Sequence, residues 1–304
     1  MKIGLIGINS LKQEEHFKTI HQSLQKKLHG FFSHSTEVLP ISANYNIKHF
    51  QSTNDLFKKS DAIYFANSLK PNYDFAINAL KESCHLFIED ISMLSIDEVK
   101  HLYKVAFEAR AKIQLKLTKS FTPEYIEVRN YLIEPKFIEI EKKFPKFLRL
   151  DDYFTEILNN LCFAYQNIKT GVKKISTFAL PFDNNHFSLV HIQLDYDNGA
   201  VVSMKFNNIA LEYESIVNIH EKDRIVHINF GKHFAAKHKF LDGQITRRDF
   251  TIPAETAFDI ELLNFIRSCQ NLDVQNLSEF PAELKLIKLA HEIKDRLIQS
   301  THPN

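Results

Sequence analysis

Over residues 2 to 117, short apolar runs alternate with amphipathic segments, and this alternation limits what the chain can fold into. Lys2 to Ile8 is an apolar run closed by a turn, the pattern of a strand buried on both faces. Ser10 reads as an N-cap, and the spacing of Leu11, Phe17, Ile20, Leu24 and Leu28 predicts a helix ending near Gly30. Further strands are expected at Glu37 to Ile41, Asp61 to Ala66, His85 to Glu89 and Ile113 to Leu117. Helices are expected at Asn54 to Lys59, Tyr73 to Glu82 and Ser95 to Ala111, the last opened by the capping-box pair Ser95 and Glu98. Strands that alternate with helices in this way imply a doubly wound parallel sheet.

After about residue 120 the rhythm changes. Helices are expected at Pro123 to Leu132 and Asp151 to Asn167, then strands at Ile175 to Phe182, Phe187 to Tyr196, Ala200 to Phe206, Ser215 to His220, Arg224 to Phe230 and Thr246 to Ile252. Asp197-Asn198-Gly199 is a hairpin turn signal. Helices Ala257 to Ser268 and Pro281 to Gln299 close the chain. The expected architecture is a Rossmann-like domain over 1–119 and an α+β domain with a large, mostly antiparallel open sheet over 120–304. The last helix is expected to pack back on the first domain.

Composition narrows the function classes. Lys plus Arg (38) nearly cancels Asp plus Glu (37), so nothing advertises a nucleic acid or an anionic membrane as partner. No stretch approaches the ~20 apolar residues of a membrane span. Cys84, Cys162 and Cys269 show no CxxC or zinc spacing, which points to reduced thiols and a cytoplasmic setting. His186, His191, His220, His227, His233 and His238 lack a ligand spacing, and no metal is expected.

Three stretches carry a resemblance: DAIYFANSLKPNYDFAINALKESCHLFIED, SFTPEY (Ser120 to Tyr125) and DYDNGAVVSMKF. Together with the order of elements they resemble the Gfo/Idh/MocA oxidoreductases, relatives of glucose–fructose oxidoreductase and inositol dehydrogenase. The resemblance implies NAD or NADP as cofactor and a small-molecule ligand in the interdomain cleft, either a sugar, a polyol or a related carbonyl compound. It also implies a homodimer through the C-terminal sheet, whose free face is expected to be apolar around Phe178, Leu180 and Phe182, with Met204 and Phe206 adding bulk. The cofactor-facing positions it implies are Gly7, Ile8, Asn9, Ser10, Ser42, Ala66, Asn67, Asn72 and Glu89.

Several motif positions are altered. In the fingerprint G-x-G-x-x-G, Gly7 holds the first place, Asn9 the second and Lys12 the third. Glu14 and Glu15 follow, where they would repel a phosphate. The ribose-binding acid is missing from Ile41 to Asn46, leaving Ser42 or Asn44 as partners. The family's Glu-Lys-Pro is Glu89-Asp90-Ile91, so a carboxylate replaces the catalytic lysine. Asp151 is in register on the later helix, but Thr155 stands where the catalytic histidine belongs, and Asn72 replaces a loop histidine. Asp90, Asp151 and Lys119, the last expected at the end of the fifth strand and the mouth of the sheet, where ligands bind, are the candidate stand-ins for acid–base work. Two readings stay open: an NAD(P)-dependent oxidoreductase, or a non-catalytic relative (a pseudoenzyme) that senses a ligand or binds a partner.

Overall fold

The computed structural model describes residues 1–183, 186–270 and 280–301. It divides into two compact units, Met1–Lys116 with Phe258–Leu284, and Leu117–Ala257 with Lys285–Asn304.

The first unit is built on a six-stranded parallel sheet. Its strands are β1 Ile3–Ile6, β2 Leu28–Phe32, β3 His49–Phe50, β4 Ala62–Ser68, β5 His85–Asp90 and β6 Ile113–Leu115, in the order β3-β2-β1-β4-β5-β6. Helices α1 Glu14–Leu24, α2 Leu39–Asn44, α3 Thr53–Phe57, α4 Tyr73–Lys81 and α5 Ile96–Glu108 connect them. All four β1 residues are buried, as a central parallel strand requires. Phe17, Ile20 and Leu24 of α1 pack into one cluster with Leu5, Tyr64 and Phe87. A helix late in sequence, Ala257–Gln270, adds Leu262, Phe265 and Ile266 to that cluster. Burying each of these large side chains stabilises the fold by roughly 1.5–3 kcal/mol. The Ser95–Glu98 capping box forms, with both reciprocal hydrogen bonds present.

Two expectations are corrected here. The first helix stops at Leu24, and Leu28–Phe32 is a strand. Leu28 and Phe31 fit either period, and Gly30 serves close approach rather than helix termination: a Cβ there would run into the Phe50 ring and the Lys48 carbonyl. The expected strand Glu37 to Ile41 is instead a 3-10 turn, Thr36–Val38, leading into α2. Ser35 accepts from the Glu37 N–H, and Pro40 sits in the first turn, so helix-start chemistry outweighs the β-branched Val38 and Ile41.

The second unit carries an eight-stranded sheet. Its strands are β7 Phe137–Lys143, β8 Val172–Pro181, β9 Phe187–Tyr196, β10 Val201–Asn207, β11 Glu214–His220, β12 Arg224–Asn229, β13 Phe234–Leu241 and β14 Gln244–Asp249. The order is β14-β13-β12-β11-β7-β10-β9-β8, and every neighbouring pair is antiparallel except β7 with β10. β7 and β13 are additions to the expected set. The turn at Asn198-Gly199 joins β9 to β10, with Gly199 at φ 77°. Helices α6 Pro123–Arg129 and α7 Leu150–Asn167 precede most of the sheet in sequence. The chain's last helix spans Phe280–Thr301. Tyr153 of α7 sets its ring edge against Phe187 and Phe206, so α7 covers the face built from Ile140, Ile192, Val202 and Met204.

The other face is polar at its centre, contrary to the apolar face expected. There His191 pairs with Ser203 at 2.9 Å, His220 with Glu139 at 3.1 Å and His227 with Asn218 at 2.8 Å. Apolar bulk is exposed on the edge strand, at Phe178 (55%) and Leu180 (50%). Met204 and Phe206 are fully buried on the face that α7 covers, and the interior strands β7, β9, β10 and β11 put polar side chains on the open one.

Gly7, at φ 112°, closes the first turn where β1 and β4 end side by side. A Cβ there would collide with the Ala66 carbonyl oxygen. Gly7→Ala is therefore expected to cost about 3 kcal/mol in urea unfolding, from left-handed strain and collision with immobile backbone together.

Candidate functional site

In an open parallel sheet, ligands bind beyond the carboxyl ends of the strands. That edge of the first unit gathers around Glu89, the last residue but one of β5, whose side chain is 8% exposed. Its Oε1 accepts from the Tyr64 hydroxyl at 2.5 Å and the Lys116 ammonium at 2.8 Å. Its Oε2 accepts from His16 Nε2 at 2.9 Å and the Asn67 N–H at 2.8 Å. Tyr64 and Glu89 lie on one side of the sheet because both strands alternate with period two. Sequence reasoning missed Tyr64, His16 and Lys116: a lone histidine on a helix and a lysine after a strand carry no motif.

The turn after β1 is closed upon itself. Gln13 Oε1 accepts from the Asn9 N–H at 2.7 Å and the Ser10 N–H at 3.2 Å, and its Nε2 donates to the Gly7 carbonyl at 3.4 Å. Asn67, at φ 66°, donates through Nδ2 to the same carbonyl at 3.1 Å. Ser33, just past β2, donates to Asn9 Oδ1 at 3.0 Å. A dinucleotide pyrophosphate needs such backbone N–H groups at the mouth of the turn. Here a side-chain amide already holds them, so the turn as folded does not fit the group. Ser10 and Gln13 have the S-x-x-Q capping spacing, a legible signal that sequence reasoning passed over.

The other expected cofactor positions scatter. Ile8 is fully buried in the core. Ala66 presents its carbonyl to Gly7. Ser42 is a correction: it lies within α2 and donates to the Ile47 carbonyl at 2.6 Å, while the residues that follow β2 are Ser33 to Ser35. Asn72 ends a 3-10 turn at the start of α4, its N–H bonded to the Leu69 carbonyl.

Of the catalytic candidates, Asp90 bonds back onto its own turn, accepting from the Ser92 N–H at 2.8 Å and the Ser92 hydroxyl at 3.0 Å. Lys119 was expected at the mouth of the first sheet. It belongs to the second unit, buried, with its ammonium on Asn160 Oδ1 at 2.6 Å and over the rings of Phe163 and Phe230. Burial and the neighbouring Lys142 push its pKa well below the usual lysine range. Asp151 sits in the first turn of α7, and its side chain lies outside the described residues. Burial pushes the Cys84 and Cys269 thiols up to about 12, which keeps them unreactive. Among the described residues no group of His, Cys, Asp and Glu is placed to hold a metal ion. In the second unit, a cavity of about 460 Å³ is lined by Lys143, Leu211, Tyr213, Asn229 and Lys232, a size suited to a small ligand.

Burial alone would raise the Glu89 pKa, but the His16 hydrogen bond, the Lys116 charge and the Asn67 N–H outweigh it and hold the carboxyl at about 2. A carboxyl lowered in this way from its ordinary 4.5 stabilises the fold above pH 4.5 and loses that contribution as the pH falls toward 2. Glu89→Gln is expected to cost about 3 kcal/mol at pH 7 and much less near pH 2. Urea unfolding of both proteins across that range checks it.

The family model described as "Oxidoreductase family, NAD-binding Rossmann fold" matches residues 1–117. Among curated proteins, none matches the sequence. Among solved structures, UDP-N-acetylglucosamine 3-dehydrogenase GnnA from Acidithiobacillus ferrooxidans is similar at TM-score 0.87 and 16% identity, over 99% of both chains. A dehydrogenase (MviM) from Clostridium difficile is similar at 0.79 and 19%, again over 99% of each. A biliverdin reductase from Synechocystis sp. PCC 6803, solved with biliverdin and NADP+, is similar at 0.70 and 13%, over 97% of this chain and 98% of that one. No helix among the described residues is long and apolar enough to cross a membrane. Residues 1–117 thus match the model of an oxidoreductase family with an NAD-binding Rossmann fold, and the chain as a whole shares its fold with these solved structures.

Proposed function

We propose that the chain is a non-catalytic relative within this oxidoreductase family, one that binds a small sugar-type ligand and holds NAD or NADP weakly. The observation that carries the reading is Asp90. Where the resemblance implies a lysine beside substrate and cofactor, a carboxylate caps its own turn through Ser92. Oxidation of an alcohol needs a positioned cation and a base of near-neutral pKa. Asp90 has the wrong charge for the first role, Thr155 stands in place of the base, and the buried Lys119 is committed to Asn160. Glu89 supports the same reading, since four protein donors already surround its carboxylate. The proposed assembly is a homodimer through the open face of the eight-stranded sheet, whose polar centre and apolar edge suit a wet interface.

A second reading is an NAD(P)-dependent oxidoreductase acting on a sugar, polyol or related carbonyl compound. The match in fold to a sugar-nucleotide dehydrogenase over 99% of both chains favours it. The biliverdin reductase fold match adds a route in which hydride reaches a conjugated system without an alcohol base.

Titration of NADH and NADPH, followed by nicotinamide fluorescence, separates the two. The expected result is no saturation below about 100 μM and no turnover on a panel of sugars, polyols and conjugated carbonyls. Saturation in the low micromolar range together with turnover establishes the second reading instead.

A further inference from the structure

The turn between β1 and α1 contains its own occupant. We infer that Gln13 is a built-in competitor for the dinucleotide pyrophosphate, and that this one side chain, more than the altered glycines, keeps the cofactor weakly bound. The inference rests on the reading of the chain as a weak NAD(P) binder and supplies the cause.

The geometry has three parts. First, one oxygen, Gln13 Oε1, takes two successive backbone donors, Asn9 N–H and Ser10 N–H. Paired N–H groups converging on one acceptor are the arrangement that holds a phosphate oxygen at the head of a Rossmann helix. Second, the amide fits this place better than a carboxylate would. It accepts from the two N–H groups and at the same time donates to the Gly7 carbonyl, so it satisfies both ends of the turn without charge. Third, the plug is removable. Gln13 is half-buried and ends a single 3-10 turn, Leu11–Gln13. The Gly7 carbonyl keeps the Asn67 donor when Gln13 leaves. Swinging out therefore leaves only the two N–H groups open, and an incoming phosphate would take both.

Other features of the turn do not compete in this way. The Asn9 side chain accepts from the Ser33 hydroxyl. Glu14 is engaged with Asn44 and Glu15 with Lys18. Their repulsion of an anion is long-range and screened by salt, whereas the Gln13 contact is direct and must be broken.

The test compares the wild type with Gln13→Ala and Gln13→Glu by calorimetric titration of NADH and of inorganic pyrophosphate, with adenosine as a phosphate-free control. Gln13→Ala is expected to bind NADH and pyrophosphate about tenfold more tightly, the equivalent of about 1.4 kcal/mol, with adenosine unchanged. Gln13→Glu keeps the plug, adds charge, and is expected to bind no more tightly than wild type. Amide exchange provides a readout that needs no ligand: the Asn9 and Ser10 amides are expected to exchange at least about tenfold faster in Gln13→Ala. Equal affinities for both ligands in wild type and Gln13→Ala, or equal exchange rates at the two amides, overturn the inference. Micromolar NADH binding with turnover in the wild type instead overturns the non-catalytic reading, and the Gln13→Ala ratio still decides the plug separately.

Discussion

The Glu89 carboxylate is the interaction on which the edge of the first sheet depends. It is buried, ionised, and held by donors from α1, β4, the turn after β4 and the segment after β6. A buried charge persists only when its partners saturate it. Four donors on two oxygens meet that condition, and in doing so they set where His16, Asn67 and Lys116 sit. Asn67 in turn reaches the Gly7 carbonyl, so the same carboxylate indirectly fixes the turn after β1. A group that the resemblance assigns to cofactor binding acts here as a structural anchor.

The same substitution of internal partners for external ones recurs along the edge. Gln13 satisfies the N–H groups of the turn, Ser33 engages Asn9, and Asp90 folds onto Ser92. Each contact is an ordinary hydrogen bond with a modest net contribution, about 1 kcal/mol. Their combined effect is on ligand binding, because a ligand gains only what exceeds the bonds it displaces. The edge that in an open parallel sheet receives a ligand is thus stabilised by the chain itself.

Much of the fold was legible in sequence. The strands at Asp61 to Ala66 and His85 to Glu89 were plain because an apolar run of that length between turns has few other outcomes. The hairpin at Asn198-Gly199 was equally plain because only that turn chemistry tolerates positive φ so readily. The errors cluster where two local codes overlap. Leu28 to Phe32 satisfied a helical stripe and a strand equally, and Glu37 to Ile41 looked extended until Ser35 and Pro40 imposed a helix start. The site was less legible than the fold. Gly7 and Asn9 stand out by motif spacing and Glu89 by the resemblance, and Ser10 with Gln13 had a readable capping signal. Tyr64, His16 and Lys116 had none, since they meet Glu89 across 25, 73 and 27 residues of chain.

Local sequence alone determined the alternation of strand and helix, the position of the tight turn at Gly7, and the presence of Asp90 and Thr155 where the resemblance implies a lysine and a histidine. These follow from side-chain period, backbone freedom and charge, which belong to each residue wherever the chain goes. Only the tertiary structure decided what the remaining polar groups do. Whether Glu89 faces a ligand or four protein donors, and whether Lys119 lines a mouth or lies over Phe163 and Phe230 on Asn160, are questions of which distant groups packing brings near. Hydrogen-bonding capacity is written in the sequence, but its partner is chosen by packing, because a buried polar group takes the nearest donor the fold supplies.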